Sequence, residues 1–268
     1  TVKPYYYQVY LAEHDVVAEL APTERAAAFR LTYPEKEMSY LVVDAYSGGH
    51  VEVLPDRNMI AGHSTANHGG VAGNFRNWFV VVSDTPFETR TTDGHIAMVG
   101  FKTAKGQKVN LRVASSFISH EQAEINLKEL GDRTLDEIAQ AGRARWNEVL
   151  GRIAVEDGNL DNLRTFYSCL YRSVLFPRDL SEINADGERV HYSPYDGAVH
   201  KGYLFADTGF WDTFRCLFPL LNLVYPDESV KMQEGLVNTW KESGFLPEWS
   251  SPGHRGCTVS YTHLTLPT

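Results

Sequence analysis

The chain has 268 residues, 43% hydrophobic and 22% charged, enough for one large or two modest globular domains, which excludes a disordered or collagen-like chain. Asp and Glu number 34 against 25 Lys and Arg, and the net charge of −9 carries no basic run, which argues against a nucleic-acid partner. The longest apolar runs, Trp78 to Val82 and Leu217 to Leu221, fall far short of the roughly 20 residues of a membrane-spanning helix.

From Tyr5 to about Ile118, short β-rich runs alternate with turn residues. The runs are Tyr5 to Leu11, Phe29 to Tyr33, Tyr40 to Val43, Val51 to Leu54, Asn77 to Val82, Ile96 to Phe101 and Val109 to Val113, and their spacing predicts an antiparallel β-sandwich. Asp93-Gly94 is a favoured pair for a tight hairpin turn with positive φ at both central residues. The stretch from Gly62 to Gly70 holds His63 and His68 without a third ligand, so it reads as a glycine-rich loop and not as a metal site.

At Ser119 the texture changes. Ser119-His120-Glu121-Gln122 has capping-box spacing and predicts a helix start. Leu135, Ile138, Gly142, Trp146, Val149 and Leu150 recur at helical spacing, and the pair reads as a helical linker. Leu163, Phe166, Tyr167, Leu170, Tyr171 and Val174 then repeat at i, i+3 and i+4 until Pro177 stops them, the mark of a buried helix face. The polar stretch from Arg178 to Gly209 shows no period, and such segments are often functional. Helices are expected again from about Phe210 to Val224 and from Glu228 to Ser243, with Gly244 as the stop.

Two segments carry candidate chemistry. Phe210-Trp211-Asp212-Thr213-Phe214-Arg215 opens a helix and places Trp211 and Arg215 on one face with Asp212 beside them. A sugar needs a flat ring for its C–H face and charged groups for its vicinal hydroxyls. The same residues also fit a plain structural role, with Trp211 in the core, Arg215 in a salt bridge and Asp212 complementing the helix N-terminus. The second segment, Phe245 to Arg255, is expected as a loop at the end of a helix. There Glu248, next to Trp249, is a candidate general acid, since desolvation raises a carboxyl pKa; a solvated loop charge is the alternative. Cys169, Cys216 and Cys257 are odd in number and lack C-x-x-C spacing, which argues against a disulfide framework and a cysteine zinc site. No P-loop, nucleophile elbow or dinucleotide fingerprint is present.

Four ordered segments together resemble glycoside hydrolase family 92, the calcium-dependent exo-acting α-mannosidases. They are Gly69 to Phe75, Ser116 to Ala123 with Asn126-Leu127, Phe166 to Ser173 with Pro177-Arg178, and Phe210 to Arg215 with Pro219-Leu220. The resemblance covers nearly all of the chain. It implies a β-sandwich over residues 1–118, whose family counterpart has a further N-terminal stretch with its own active-site residues before the position of Thr1, a helical linker over 119–155 and the first part of an (α/α)6 barrel over 156–257. By position it puts Trp211, Asp212 and Arg215 in the sugar subsite, with Trp249, His254 and Arg255 as further substrate-binding candidates. It implies inverting hydrolysis of an α-mannoside, of α-1,2 type or from an N-glycan or mannan, by an acid and a base roughly 6.5–9.5 Å apart. It also implies a Ca2+ ion whose oxygen ligands, with the base, belong mostly to later barrel helices, and a periplasmic, cell-surface or secreted location.

The chain departs from the family pattern in two places. The stretch Ser250 to Cys257 lacks the glutamate that many relatives carry there as general acid, which leaves Glu248 as the nearest candidate. Residues 258–268 resemble translated adapter sequence, and the start at Thr1 lacks an initiator Met and a leader, so the chain is expected to be an inactive piece of a longer protein with apolar faces such as Leu163, Phe166 and Leu170 poorly covered. Two further readings stay open: an inverting hydrolase of glucosides on the same architecture, and a carbohydrate-binding protein without catalysis.

Overall fold

The computed structural model describes residues 1–66, 71–244, 246–247 and 249–252. They form two compact units. The first holds residues 1–66 and 76–146; the second holds the described residues from 147 onward together with 71–75.

The first unit is a β-sandwich backed by helices. Its strands are β1 (Val2–Lys3), β2 (Tyr6–Leu11), β3 (Val16–Pro22), β4 (Ala26–Tyr33), β5 (Lys36–Asp44), β6 (His50–Leu54), β7 (Met59–Ser64), β8 (Asn77–Ser83), β9 (Thr89–Asp93), β10 (Ile96–Thr103) and β11 (Gln107–Ser116). Among the described residues an eight-stranded sheet runs β1-β2-β3-β4-β11-β8-β7-β6, and a three-stranded sheet runs β5-β10-β9. Between the sheets lies a core of Val51, Ile60, Val99, Phe101, Val109 and Leu111. On the other face of the large sheet, Ala28, Met59, Val80 and Ala114 pack against Ala123, Leu130, Leu135 and Ile138. The last four lie on or beside α1 (His120–Asn126) and α2 (Leu135–Leu150).

All seven expected strands are present, together with three longer ones that the sequence pattern does not reveal: β3, β7 and β9. The reasons are local. Strand β9 is exposed at every residue, so it carries no apolar alternation, whereas the first four residues of β7 are all buried and show no polar face. Strand β7 also corrects the Gly62 loop reading, because Gly62, His63 and Ser64 are ladder residues paired with Phe79, Trp78 and Asn77. The hairpin at Asp93-Gly94 is shifted by one residue: Asp93 pairs with Ile96, and positive φ falls on Gly94 alone of the pair, at 56°.

The predicted cap at Ser119 is made, its hydroxyl accepting from the Gln122 N–H at 3.2 Å. Thr134 supplies a second, reciprocal box at the start of α2. Its N–H donates to Glu137 at 2.8 Å, and the Glu137 N–H donates back to the Thr134 hydroxyl at 3.3 Å.

One charged cluster ties β3 and β4 to α2. Arg30 donates to both oxygens of Glu19 at 2.6 and 2.7 Å and to Asp136 at 2.9 Å, while the Tyr6 hydroxyl donates to Glu19 at 2.7 Å. The Arg30 guanidinium holds the Glu19 carboxyl below its ordinary value, and burial together with Glu19 pushes the Tyr6 phenol up to about 12.

The second unit contains α3 (Leu160–Ser173), α4 (Phe210–Thr213), α5 (Leu217–Val224) and α6 (Pro226–Ser243) around a core of Leu170, Phe205, Leu221, Tyr225 and Met232. Leu170 is 5% exposed and Phe166 is half-buried against the same core, so these two of the three α3 residues expected to be poorly covered are packed. Exposed apolar side chains include Leu160 at the start of α3, Leu223 on α5, and Val230, Val237 and Trp240 on α6.

The polar stretch from Arg178 to Gly209 is also not structureless. It forms β12 (Arg178–Asp179) paired with β16 (Phe205–Ala206), and a three-stranded sheet of β13 (Glu182–Ile183), β14 (Arg189–Tyr192) and β15 (Val199–Lys201). Strands of two to four residues are too short to show a period.

Candidate functional site

The single helix expected from Phe210 to Val224 is broken into α4 and α5. Pro219 explains the break. In a continuous helix its ring would clash with the Arg215 carbonyl, and it has no N–H to give that carbonyl. The chain therefore leaves the helix after Thr213 and restarts at Leu217. Trp211 and Asp212 sit in the one turn of α4, and Arg215 lies in the connecting turn with its guanidinium 4.6 Å over the Phe214 ring.

The loop after α6 runs back to the start of α4. Gly244 ends α6 in the left-handed conformation, φ 87°, its N–H donating to the Trp240 carbonyl, which is the stop expected from sequence. Trp249 then bridges Gly209 in an antiparallel pair. Ser250 fixes the register: its N–H donates to the Thr208 carbonyl at 2.9 Å, its hydroxyl donates to the Phe205 carbonyl at 2.8 Å, and its own carbonyl accepts from the Asp207 N–H.

This pairing places the Trp249 ring directly on Gly209. A Cβ at position 209 would meet Cε3 of Trp249 at 2.5 Å and Cζ3 at 2.6 Å, so only glycine fits beneath the indole. Trp249 and Trp211 are each 38% exposed. The two candidate segments are thus joined at one place, with two half-open indoles, the Asp212 carboxylate and the Arg215 guanidinium in consecutive turns of chain.

Of the structural alternative for these residues, one element is present. Trp211 is not core, and among the described residues Arg215 makes no ion pair; Asp212 does occupy the first turn of α4. Glu248, His254 and Arg255 lie outside the described residues, as do His68 and Cys257.

Supporting groups surround the pairing. Asp207 adopts φ 65° and forms an ion pair with Arg178. Among the described residues the buried Thr208 hydroxyl has no hydrogen-bond partner. Behind α6, fully buried His191 bridges strand and helix: Nδ1 lies 2.9 Å from the Gly202 carbonyl and Nε2 lies 2.8 Å from Glu242 Oε1. Both neighbours offer acceptor oxygens, which favours a proton on each ring nitrogen. Burial opposes that charge, but the Glu242 carboxylate and the Gly202 carbonyl outweigh it and hold His191 above its ordinary value.

Neither Gly209 nor the His191–Glu242 pair stands out in the sequence. Residues 191 and 242 lie 51 apart in the chain with no shared motif, and the need for glycine at 209 arises only when the indole arrives.

No group of three or more His, Cys, Asp or Glu side chains comes together among the described residues. These residues therefore do not by themselves fit a calcium ion.

Comparisons with known proteins agree on the family. The model of the glycosyl hydrolase family 92 catalytic domain matches residues 122–265, and that of the family's N-terminal domain matches residues 1–128. A solved family GH92 inverting mannosidase from Bacteroides thetaiotaomicron is 42% identical with a TM-score of 0.90 over 96% of this chain, which spans 37% of that protein. A family GH92 α-mannosidase from the same organism is 24% identical with a TM-score of 0.82, covering 95% of this chain and 38% of that one, and shares the fold. An uncharacterized secreted glycosidase of Arthroderma benhamiae is 25% identical over 181 residues, 52% of this chain and 23% of that protein.

Proposed function

Because the chain belongs to glycosyl hydrolase family 92, we propose that the whole protein is an exo-acting α-mannosidase that cleaves its substrate with inversion. The observation that carries this reading is the seating of Trp249 on Gly209, the residue that precedes the α4 turn holding Trp211 and Asp212. A half-open indole offers a flat apolar face to the C–H side of a pyranose. The Asp212 carboxylate accepts from vicinal hydroxyls, and the Arg215 guanidinium donates to them.

In inverting hydrolysis an acid protonates the leaving oxygen while a base activates water on the opposite face, the two carboxyls roughly 6.5–9.5 Å apart. Glu248 is our candidate acid, being adjacent in sequence to Trp249, and His254 and Arg255 are candidates for the leaving-group side. The base and the calcium ligands are assigned to parts of the protein beyond these residues. We take the substrate to be an α-1,2-type mannoside and the protein to be exported, a location supported by the secreted relative.

The test is release of free mannose from a panel of α-mannosides by the whole protein, with and without a calcium chelator, for the wild type and Asp212→Ala. Calcium-dependent release abolished by the substitution supports the reading. Release of glucose from α-glucosides instead, or mannose binding without turnover, would replace it with another glycosidase or with a binding protein.

A further inference from the structure

Two chain segments meet where Trp249 covers Gly209, and both are tied together at one point further back. Gly209 follows Gly202 by seven residues, and Trp249 follows Glu242 by seven. His191 of β14 joins these two starting points, with Nδ1 2.9 Å from the Gly202 carbonyl and Nε2 2.8 Å from Glu242 Oε1. The other carboxylate oxygen, Glu242 Oε2, is buried with no hydrogen-bond partner among the described residues, so among them His191 is what holds this side chain.

Between that point and the site the two segments are packed without slack. The Asn238 side chain of α6 donates to the Tyr203 carbonyl at 2.9 Å. A Cβ at Gly202 would lie 2.7 Å from Glu234 Oε1 and 2.8 Å from Asn238 Nδ2, and one at Gly235 would lie 2.9 Å from Phe205 Cδ2. Ser250 then donates to the Phe205 and Thr208 carbonyls, one residue after the indole that covers Gly209. A slip of α6 against residues 202–206 at the His191 end is therefore carried to the indole, and a misplacement of about 1 Å remote from the chemistry costs up to ~100-fold in rate.

We propose that His191 is a positioning residue for the sugar site: by bridging Gly202 and Glu242 it sets where Trp249 lies over Gly209, and through that ring how well a mannoside binds. The mannoside part rests on the function proposed for the site, whereas the seating of the ring does not. A bridge to two acceptor oxygens needs an N–H on each ring nitrogen, and a neutral imidazole has only one. Burial, the largest influence, lowers the His191 pKa, but Glu242 on α6, the Gly202 carbonyl and Asp179 on β12 together hold it above its ordinary value. His200 on β15, its cross-strand neighbour with ring centroids 6.1 Å apart, is itself engaged by Asp196 at 2.7 Å. Glu182 on β13 is paired with Val190 and so faces the opposite side of β14 from His191. The bridge is whole below about pH 6.5 and is lost as pH rises through the raised folded value.

Fluorine NMR of the whole protein labelled with 5-fluorotryptophan, together with mannoside kinetics, tests this from about pH 6 to about pH 9. The resonance of residue 249, assigned by its absence in Trp249→Phe, shifts as pH rises, and KM rises roughly tenfold over the same interval while kcat changes less than about twofold. In His191→Gln the resonance sits at its high-pH position throughout, and KM is raised and no longer follows pH in this range. Glu242→Gln, which keeps the shape of the helix end, does the same. A wild-type resonance that ignores pH overturns the proposal, as do variants that keep the wild-type resonance and KM, or that lose kcat alone. If no mannose is released yet the resonance follows pH and is fixed in both variants, the positioning role stands and the mannosidase reading falls.

Discussion

The indole of Trp249 rests on the α-carbon of Gly209, 40 residues earlier in the chain, and this contact joins the loop after α6 to the turn that presents Trp211 and Asp212. Any side chain at 209 occupies the space of the ring. Gly209→Ala is expected to expel the indole and to cost about 1–3 kcal/mol, as overpacking generally does. Tryptophan emission of the chain should shift to the red, and in the whole protein kcat/KM should fall at least tenfold. Unchanged emission would mean the ring does not sit there.

The proposed sugar site gives Asp212 a role in binding, and its exposure in a single helical turn leaves it little role in folding. Asp212→Asn should leave the melting temperature within a degree or two. A charged hydrogen bond to a hydroxyl contributes about 1.5–3 kcal/mol, so affinity for mannose should drop roughly 10- to 100-fold. Calorimetry on the whole protein measures both quantities.

Within the sandwich, Arg30 neutralises Glu19, which is 7% exposed. Arg30→Met strands that carboxylate among Tyr6 and Asp136 and should destabilise the first unit by about 3 kcal/mol, read by denaturant unfolding. Glu19 and Asp136 both have folded pKa values below their unfolded ones, with Arg30 the leading cause for each. Their stabilisation is therefore present above the ordinary carboxylate range, about pH 4, and is lost as pH falls through the lower folded values. The acid transition should move to higher pH in Arg30→Met.

His191 titrates in the opposite sense. Its folded pKa is raised, so its contribution is complete below about pH 6.5 and declines as pH rises through the folded value. The melting temperature of the second unit should fall across that interval. Glu242→Gln, which removes the charge facing Nε2, should flatten the dependence and lower stability at pH 6. A wild-type profile flat above pH 6.5 would show that His191 is neutral.

Much of this protein is legible in the sequence because its signals are local. Capping at Ser119, the stop at Gly244 and the apolar runs of strands such as β8 and β10 depend on residues close together in the chain. For the segment from Trp211 to Thr213 the residue types and spacing leave a sugar site and a plain structural role both open, and it is the resemblance to glycoside hydrolase family 92 that puts it in a sugar subsite. Strand β9 is not legible, because an exposed hairpin arm buries nothing and leaves no pattern.

What tertiary structure decided are the pairings over long chain separations. The indole of Trp249 on Gly209, the imidazole of His191 on Glu242, and Arg30 between Glu19 and Asp136 each depend on two elements meeting in space. No periodicity records such a meeting, because sequence pattern reflects which face of an element is buried and not what it is buried against.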